Sequence, residues 1–149
     1  VNVISGKELK DFWRYSIGAS IEEKADADRV EFFITGEFTQ LNDYIRVERG
    51  NKFGAANIKE TETLRAEFAC RDLPKLSAYP VDIVFTWYRE DRRTDPDNIG
   101  FAAKFVLDGM VKAGVLRDDG MAEIASITHR FVVDKTAPGV SVYARRADV

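Results

Sequence analysis

The stretch Tyr79-Pro80-Val81-Asp82-Ile83-Val84-Phe85-Thr86-Trp87-Tyr88 runs through Arg89-Glu90-Asp91-Arg92-Arg93-Thr94 into Asp95-Pro96-Asp97-Asn98. In its first half Val81, Ile83, Phe85 and Trp87 alternate with Asp82, Val84, Thr86 and Tyr88, the period of a strand. Its β-branched and aromatic side chains suit a pleated surface. Pro96 biases Asp95 toward an extended backbone. Side chains two apart in an extended chain share a face, so Asp95 and Asp97 are expected to point the same way. The spacing then predicts a helix from Asn98 to Ala113 with Asp97 as its N-cap. Phe101, Phe105, Val106 and Met110 supply its apolar face, and Gly114 ends it.

Working outward, Val30 to Thr35 reads as a strand closed by Gly36. Arg49-Gly50-Asn51-Lys52-Phe53-Gly54 reads as a flexible basic loop. Ala55 to Arg71 reads as a helix, with Ile58, Leu64 and Phe68 among its apolar positions and Pro74 beyond its end. Nearer the start, Ser5 and Glu8 have capping-box spacing, and Leu9, Phe12, Trp13 and Ile17 recur at helical intervals up to Gly18. On the other side, Ile124, Ile127, Phe131 and Val133 mark one strand. Val140, Val142 and Tyr143 mark another after the Ala137-Pro138-Gly139 turn, a hairpin-like pair. The expected fold class is α+β, a small mixed or antiparallel sheet covered by helices. Residues 1–28 form an N-terminal helix and polar connector, and residues 29–149 form the main domain.

A chain of 149 residues, 45% hydrophobic and 32% charged, suits one soluble globular domain with its own core. No apolar run is long enough for a membrane span, and the first residues lack the blocks of a signal peptide. The expected location is the cytoplasm, with no membrane partner. Cys70 is the only cysteine, which excludes an internal disulfide and a cysteine-rich metal site. It is expected to pack as a small hydrophobe. The net charge of −3 runs against a generic nucleic-acid binder. A metal-dependent nuclease is compatible with it, because the site itself must be acidic while basic groups line the approach. Arg89, Arg92 and Arg93 stand just before Asp95, and Arg46, Arg49, Lys52 and Lys59 gather in and after the expected loop. These are the candidate DNA contacts.

Asp95 and Asp97, then Lys104 and Asp108 on the expected helix, then Asp118-Asp119 after Gly114 make a set of carboxylates with one lysine. Carboxylate oxygens are the hard ligands that Mg²⁺ takes, one or two at a time, alongside waters and substrate phosphate. A lysine can meet the charge that develops on a phosphate.

The order D-x-D-N, a helix carrying K-x-x-x-D, and then Gly114-Val115-Leu116-Arg117-Asp118-Asp119 followed by a strand resembles the RusA family of Holliday junction resolvases, particularly its phage and prophage members. The similarity spans Ile34 to Phe131 and is densest from Asp95 to Asp119. The resemblance implies a homodimeric endonuclease acting in recombination and repair, which cuts branched DNA, above all four-way junctions. It implies Mg²⁺ held by Asp95, Asp97 and Asp119, with Mn²⁺ as a substitute, Asp118 as the alternative ligand, and Lys104 as the functional lysine. In the family's pattern the lysine follows the second aspartate by one helical turn. Here that position is Phe101, and Lys104 lies seven residues after Asp97. Seven residues return to nearly the same face of a straight helix, roughly 10 Å further along it. Asp108, one turn on, is expected to hold the lysine. The alternative from another class is a RusA-like protein that binds branched DNA or a recombination partner with little or no cutting.

A helix from Asn98 to Ala113 is roughly 24 Å long, so Asp119 leaves its far end. The following segment spans at most about 20 Å. A two-fold dimer with these helices antiparallel would instead set Asp119 of one subunit beside Asp95 and Asp97 of the other.

Other chemistries fit less well. Asp95 to Gly100 opens like a calcium-binding loop, but Ile99 and Val106 stand where its fifth and twelfth positions need oxygen ligands. His129 is the only histidine, so no zinc site or histidine-activated nucleophile can be assembled around it; it is expected to pack. No glycine-rich phosphate loop is present.

Overall fold

The computed structural model describes residues 24–148. The helix expected from Ser5 lies outside the described residues. The described elements are β1 (Asp26–Ala27), β2 (Arg29–Thr35), α1 (Leu41–Gly50), α2 (Lys52–Ala69), β3 (Lys75–Leu76), β4 (Val81–Arg89), α3 (Pro96–Gly100), α4 (Ala103–Lys112), β5 (Ile124–Val133) and β6 (Gly139–Arg146). The fold is α+β.

Strands β2, β6, β4 and β5 form one sheet in that order. It is mixed, because β6 runs antiparallel to both β2 and β4 while β5 runs parallel to β4. The alternation read in β4 sorts its faces: Val81, Ile83, Phe85 and Trp87 are buried, while the residues between them are half-buried. Val140, Val142 and Ala144 of β6 are fully buried beside them. Phe105, Val106 and Met110 of α4 and Ala66 of α2 are buried as well, closing the core over one face of the sheet.

The expected hairpin between the last two strands does not form. Strand β4, apolar along its whole inner face, takes the place between β5 and β6. The parallel β4–β5 pair is joined instead through α3 and α4, as parallel strands require a crossover.

The expected basic loop is also ordered differently. Helix α1 continues to Gly50 and α2 starts at Lys52, with Asn51 between them. The Asn51 side chain accepts hydrogen bonds from the Phe53 and Gly54 nitrogens at 3.0 and 3.3 Å, so it is the N-cap of α2. Gly54 therefore lies inside a helix. At the far end of α2, Lys24 Nζ donates to the carbonyls of Cys70, Arg71 and Leu73 at 3.2, 2.9 and 2.6 Å. These carbonyls lie at and just beyond the C-cap of α2, the end of a helix where a cation is favoured. With the short parallel β1–β3 ladder, this ties the expected connector into the body.

The expected single helix after Asp97 is broken in two. Phe101 and Ala102 separate α3 from α4, and Lys104 N and Phe105 N bond back three residues to Phe101 O and Ala102 O at 3.2 and 3.0 Å. These are the tighter bonds of a 3₁₀ turn. Gly100 at the break lies against the His129 ring, 3.4 Å from where an added Cβ would sit.

Candidate metal and nucleic-acid site

The Asp95 end of the site is fixed by the top of β4. Arg89 Nη2 lies 3.1 Å from Glu37 Oε2, Glu90 N donates to Glu37 Oε1 at 3.2 Å, and Asp134 N donates to Arg89 O at 2.8 Å. Asp95 has φ −69° and ψ 147°, the extended geometry that Pro96 favours. Asp95, not Asp97, is the N-cap of α3, and its side chain makes no capping bond. Asp97 stands at the second position of that helix. Both carboxylates are exposed, and among the described residues neither has a hydrogen-bond or ion-pair partner. Asp97 is thus helical, so the shared face expected of an extended Asp95–Asp97 segment does not follow from its backbone; two free hard-oxygen donors two positions apart match the one or two carboxylates that an Mg²⁺ shell takes.

Lys104 is exposed on the first turn of α4, and its Nζ lies 3.8 Å from Asp108 Oδ2, the pairing expected from their spacing. The 3₁₀ turn before it changes the rotation between Asp97 and Lys104 from that of a straight helix.

Asp118 and Asp119 occupy the other end of the sheet. Arg117 holds them there: its backbone nitrogen donates to Tyr79 Oη at 2.8 Å and its guanidinium lies over the Tyr79 ring at 4.4 Å. The same guanidinium donates through Nε and Nη2 to Glu123 Oε2 at 3.1 and 2.7 Å. Glu123 is 8% exposed, and its carbonyl accepts from Val81 N at 2.8 Å, the first residue of β4. Asp118 Oδ1 accepts from the Asp119 nitrogen at 2.8 Å. The Asp119 carboxylate is exposed and has no such partner among the described residues.

The two acid groups therefore lie off opposite ends of the β4–β5 ladder. Asp118 and Asp119 precede β5, Asp95 and Asp97 follow β4, and the parallel register runs from Val81↔Ile124 to Arg89↔Val133. Eight steps at about 3.3 Å give roughly 26 Å. Consistently, no group of three or more His, Cys, Asp or Glu side chains placed to hold a metal occurs among the described residues.

No family model matches the chain, and no curated protein is significantly similar to it.

The candidate DNA contacts divide by environment. Arg92 and Arg93 are exposed beside Asp95, and Arg46, Arg49, Lys52 and Lys59 are exposed on α1 and α2. Arg89 is largely buried, with its side chain 13% exposed and held by Glu37. Arg46 pairs with Asp43 at 2.7 Å. A basic group that reading along the chain did not single out is Arg29, Arg145 and Arg146, which line a cleft of about 510 Å³ with Tyr143, Asp28 and Asp148; Arg29 lies 3.9 Å from Asp28 and Arg145 3.5 Å from Asp148. Arg29 faces Arg145 across the β2–β6 ladder, and Arg146 pairs with Val81. This places them at the same end of the sheet as Asp118 and Asp119. Arg29 is 116 positions from Arg145 in the sequence, so only strand pairing reveals the cluster.

No helix among the described residues is long and apolar enough to cross a membrane.

Proposed function

We propose that the protein is an Mg²⁺-dependent, structure-specific endonuclease of RusA type, which hydrolyses phosphodiesters in branched DNA such as four-way junctions. The observation that carries this reading is the pair of free, exposed carboxylates at Asp95 and Asp97, ahead of Lys104 on the following helix. Asp95, Asp97 and Asp119, with Asp118 as the alternative, would hold the ion, for which Mn²⁺ could substitute. When bound, the metal polarises the scissile phosphate and lowers the pKa of the attacking water. Asp95 and Asp97 orient that chemistry from a fixed turn, and Lys104 leaves Asp108 to meet the charge growing on the phosphate. Arg92, Arg93 and the Arg29–Arg145–Arg146 group contact flanking phosphates, which gives local attraction despite the overall negative charge. Since the acid groups lie at opposite ends of one sheet, the working site is shared, with Asp119 contributed by a second subunit. The homodimer thereby carries two equivalent sites for two strands.

The test is cleavage with Mg²⁺ of a mobile four-way junction, a fork and a plain duplex. The expected result is paired nicking of the junction and none of the duplex. Equal cutting of all three would contradict structure specificity. Tight junction binding without cutting under any divalent metal would favour a RusA-like binding protein.

A further inference from the structure

Strand β5 is a long sheet edge with little of the usual protection. It is ten residues long, pairs only with β4, and is exposed over nine of its ten positions. Natural edge strands are kept short, charged, bulged or broken by proline; Ile124 to Val133 contains no proline and one charged residue, Arg130, and its register with β4 shifts once, at Ala125 near its start, leaving Ser126 to Val133 as a regular run of eight residues. The opposite edge, β2, is seven residues long and carries Arg29 and Glu31.

The register adds a second anomaly. Ile127, His129, Phe131 and Val133 pair with Ile83, Phe85, Trp87 and Arg89. Paired residues of parallel strands share a face, so this row continues the core side of β4. Ile83, Phe85 and Trp87 are at most 2% exposed, whereas Ile127, Phe131 and Val133 are 40 to 43% exposed. Rings nevertheless line the row, with Phe85, Trp87, His129 and Phe131 stacked in sequence at centroid distances of 5.4 to 6.3 Å. Each end of β5 also carries one half of a fitting pair. Met121, 95% exposed, stands near its start. A cleft of about 230 Å³ lined by Pro96, Ile99, Phe131 and Val133 opens near its end.

We infer that β5 is the dimerisation surface: two copies pair their β5 strands edge to edge across a two-fold axis, giving a continuous eight-stranded sheet. A two-fold makes the paired strands antiparallel. The start of β5 in one copy then meets the end of β5 in the other, so Met121 of each enters the Pro96–Phe131 cleft of its mate. The same operation brings Asp118 and Asp119 of one copy beside Asp95 and Asp97 of the other. Those groups then stand about two strand spacings apart, roughly 10 Å, in place of the intrachain 26 Å or so. The inference rests on the shared-site reading for its functional meaning, while the exposed row and the knob and cleft support it independently.

A cysteine scan tests it in the full chain. Each residue from Ser126 to Arg130 is replaced in turn by cysteine, together with a Glu31→Cys control on the other edge. Cys70 is buried, with its thiol pushed up to about 12, and stays silent. Oxidation is expected to yield a disulfide-linked dimer at the strand centre, where antiparallel Cα separations of about 4.5–5.5 Å permit the bond, and none at position 31. Met121→Asp, at an exposed position, leaves the fold intact and is expected to raise the dimer dissociation constant by at least about tenfold. A chain that sediments as a monomer, or a dimer that gives no β5 disulfide and is indifferent to Met121→Asp, overturns the inference. A β5-linked dimer that shows no metal-dependent cleavage upholds the interface and counts against the nuclease reading alone.

Discussion

Asp97 does not cap the helix it stands on, and this separates metal binding from local stability in a single substitution. Asp97→Asn removes a charged oxygen donor and no capping bond. It is expected to abolish Mg²⁺-dependent cleavage while junction affinity and thermal midpoint stay close to wild type; activity within a few-fold of wild type would exclude Asp97 as a ligand. Lys104 calls for a different measurement, because a group that meets developing charge acts chiefly in the transition state. For Lys104→Ala, single-turnover cleavage is expected to slow by roughly 10–100-fold, corresponding to about 1.4–2.7 kcal/mol, with little change in binding. An unchanged rate would show that the 3₁₀ turn directs the lysine away from the scissile phosphate. His129 packs rather than ligates: its Nδ1 accepts from Trp87 Nε1 at 2.9 Å, and burial lowers its pKa from 6.5. The folded chain thus binds this proton less readily than the unfolded one. The resulting stability is present above about pH 6.5 and is lost as pH falls through the lowered folded value. Urea denaturation at pH 7.5 and 5.5 should show a drop in the wild type that is smaller in His129→Gln. Equal drops would place the acid sensitivity elsewhere.

Among the elements, β4 was the most legible, because period-two alternation is strong wherever one face of a strand is buried. The stretch from Asn98 to Ala113 was legible as helical but not as broken. Its apolar positions satisfy one continuous period, and nothing in that period marks the turn at Phe101 and Ala102, where Gly100 lies against the His129 ring of β5. Likewise, glycine and asparagine at positions 50 and 51 read as a loop, while the chain uses Asn51 as a helix cap. The Asp118-Asp119 pair was visible, but Arg117 as its anchor was not, since the bonds to Tyr79 and Glu123 depend on tertiary proximity. Packing between α2 and α4 depends on Gly109, where an added methyl would fall 2.5 Å from Ala66 Cβ and 2.7 Å from Glu67 N. Overpacking of this kind costs about 1–3 kcal/mol, against which alanine recovers up to about 1 kcal/mol of helix propensity. Gly109→Ala should therefore lower the urea midpoint. A raised midpoint would mean that the two helices separate freely.

At the scale of the whole molecule, strand order determines what the acidic residues can do. A hairpin of the last two strands, as the sequence led one to expect, would have left the position of Asp119 open. The observed order β2-β6-β4-β5 with parallel β4 and β5 sets Asp119 a strand length from Asp97. The separation expected from helix length alone is thus reached by a different route, through the sheet. A shared site makes a prediction that no single-chain site can imitate. Asp97→Asn and Asp119→Asn chains, each inactive alone, are mixed and allowed to exchange, and mixed dimers are verified by a tag on one partner. One site of such a dimer carries both substitutions, and the other carries neither. With Mg²⁺ and a four-way junction, the mixed dimer should nick one strand without resolving the junction. Complete inactivity of a verified mixed dimer would contradict the shared site.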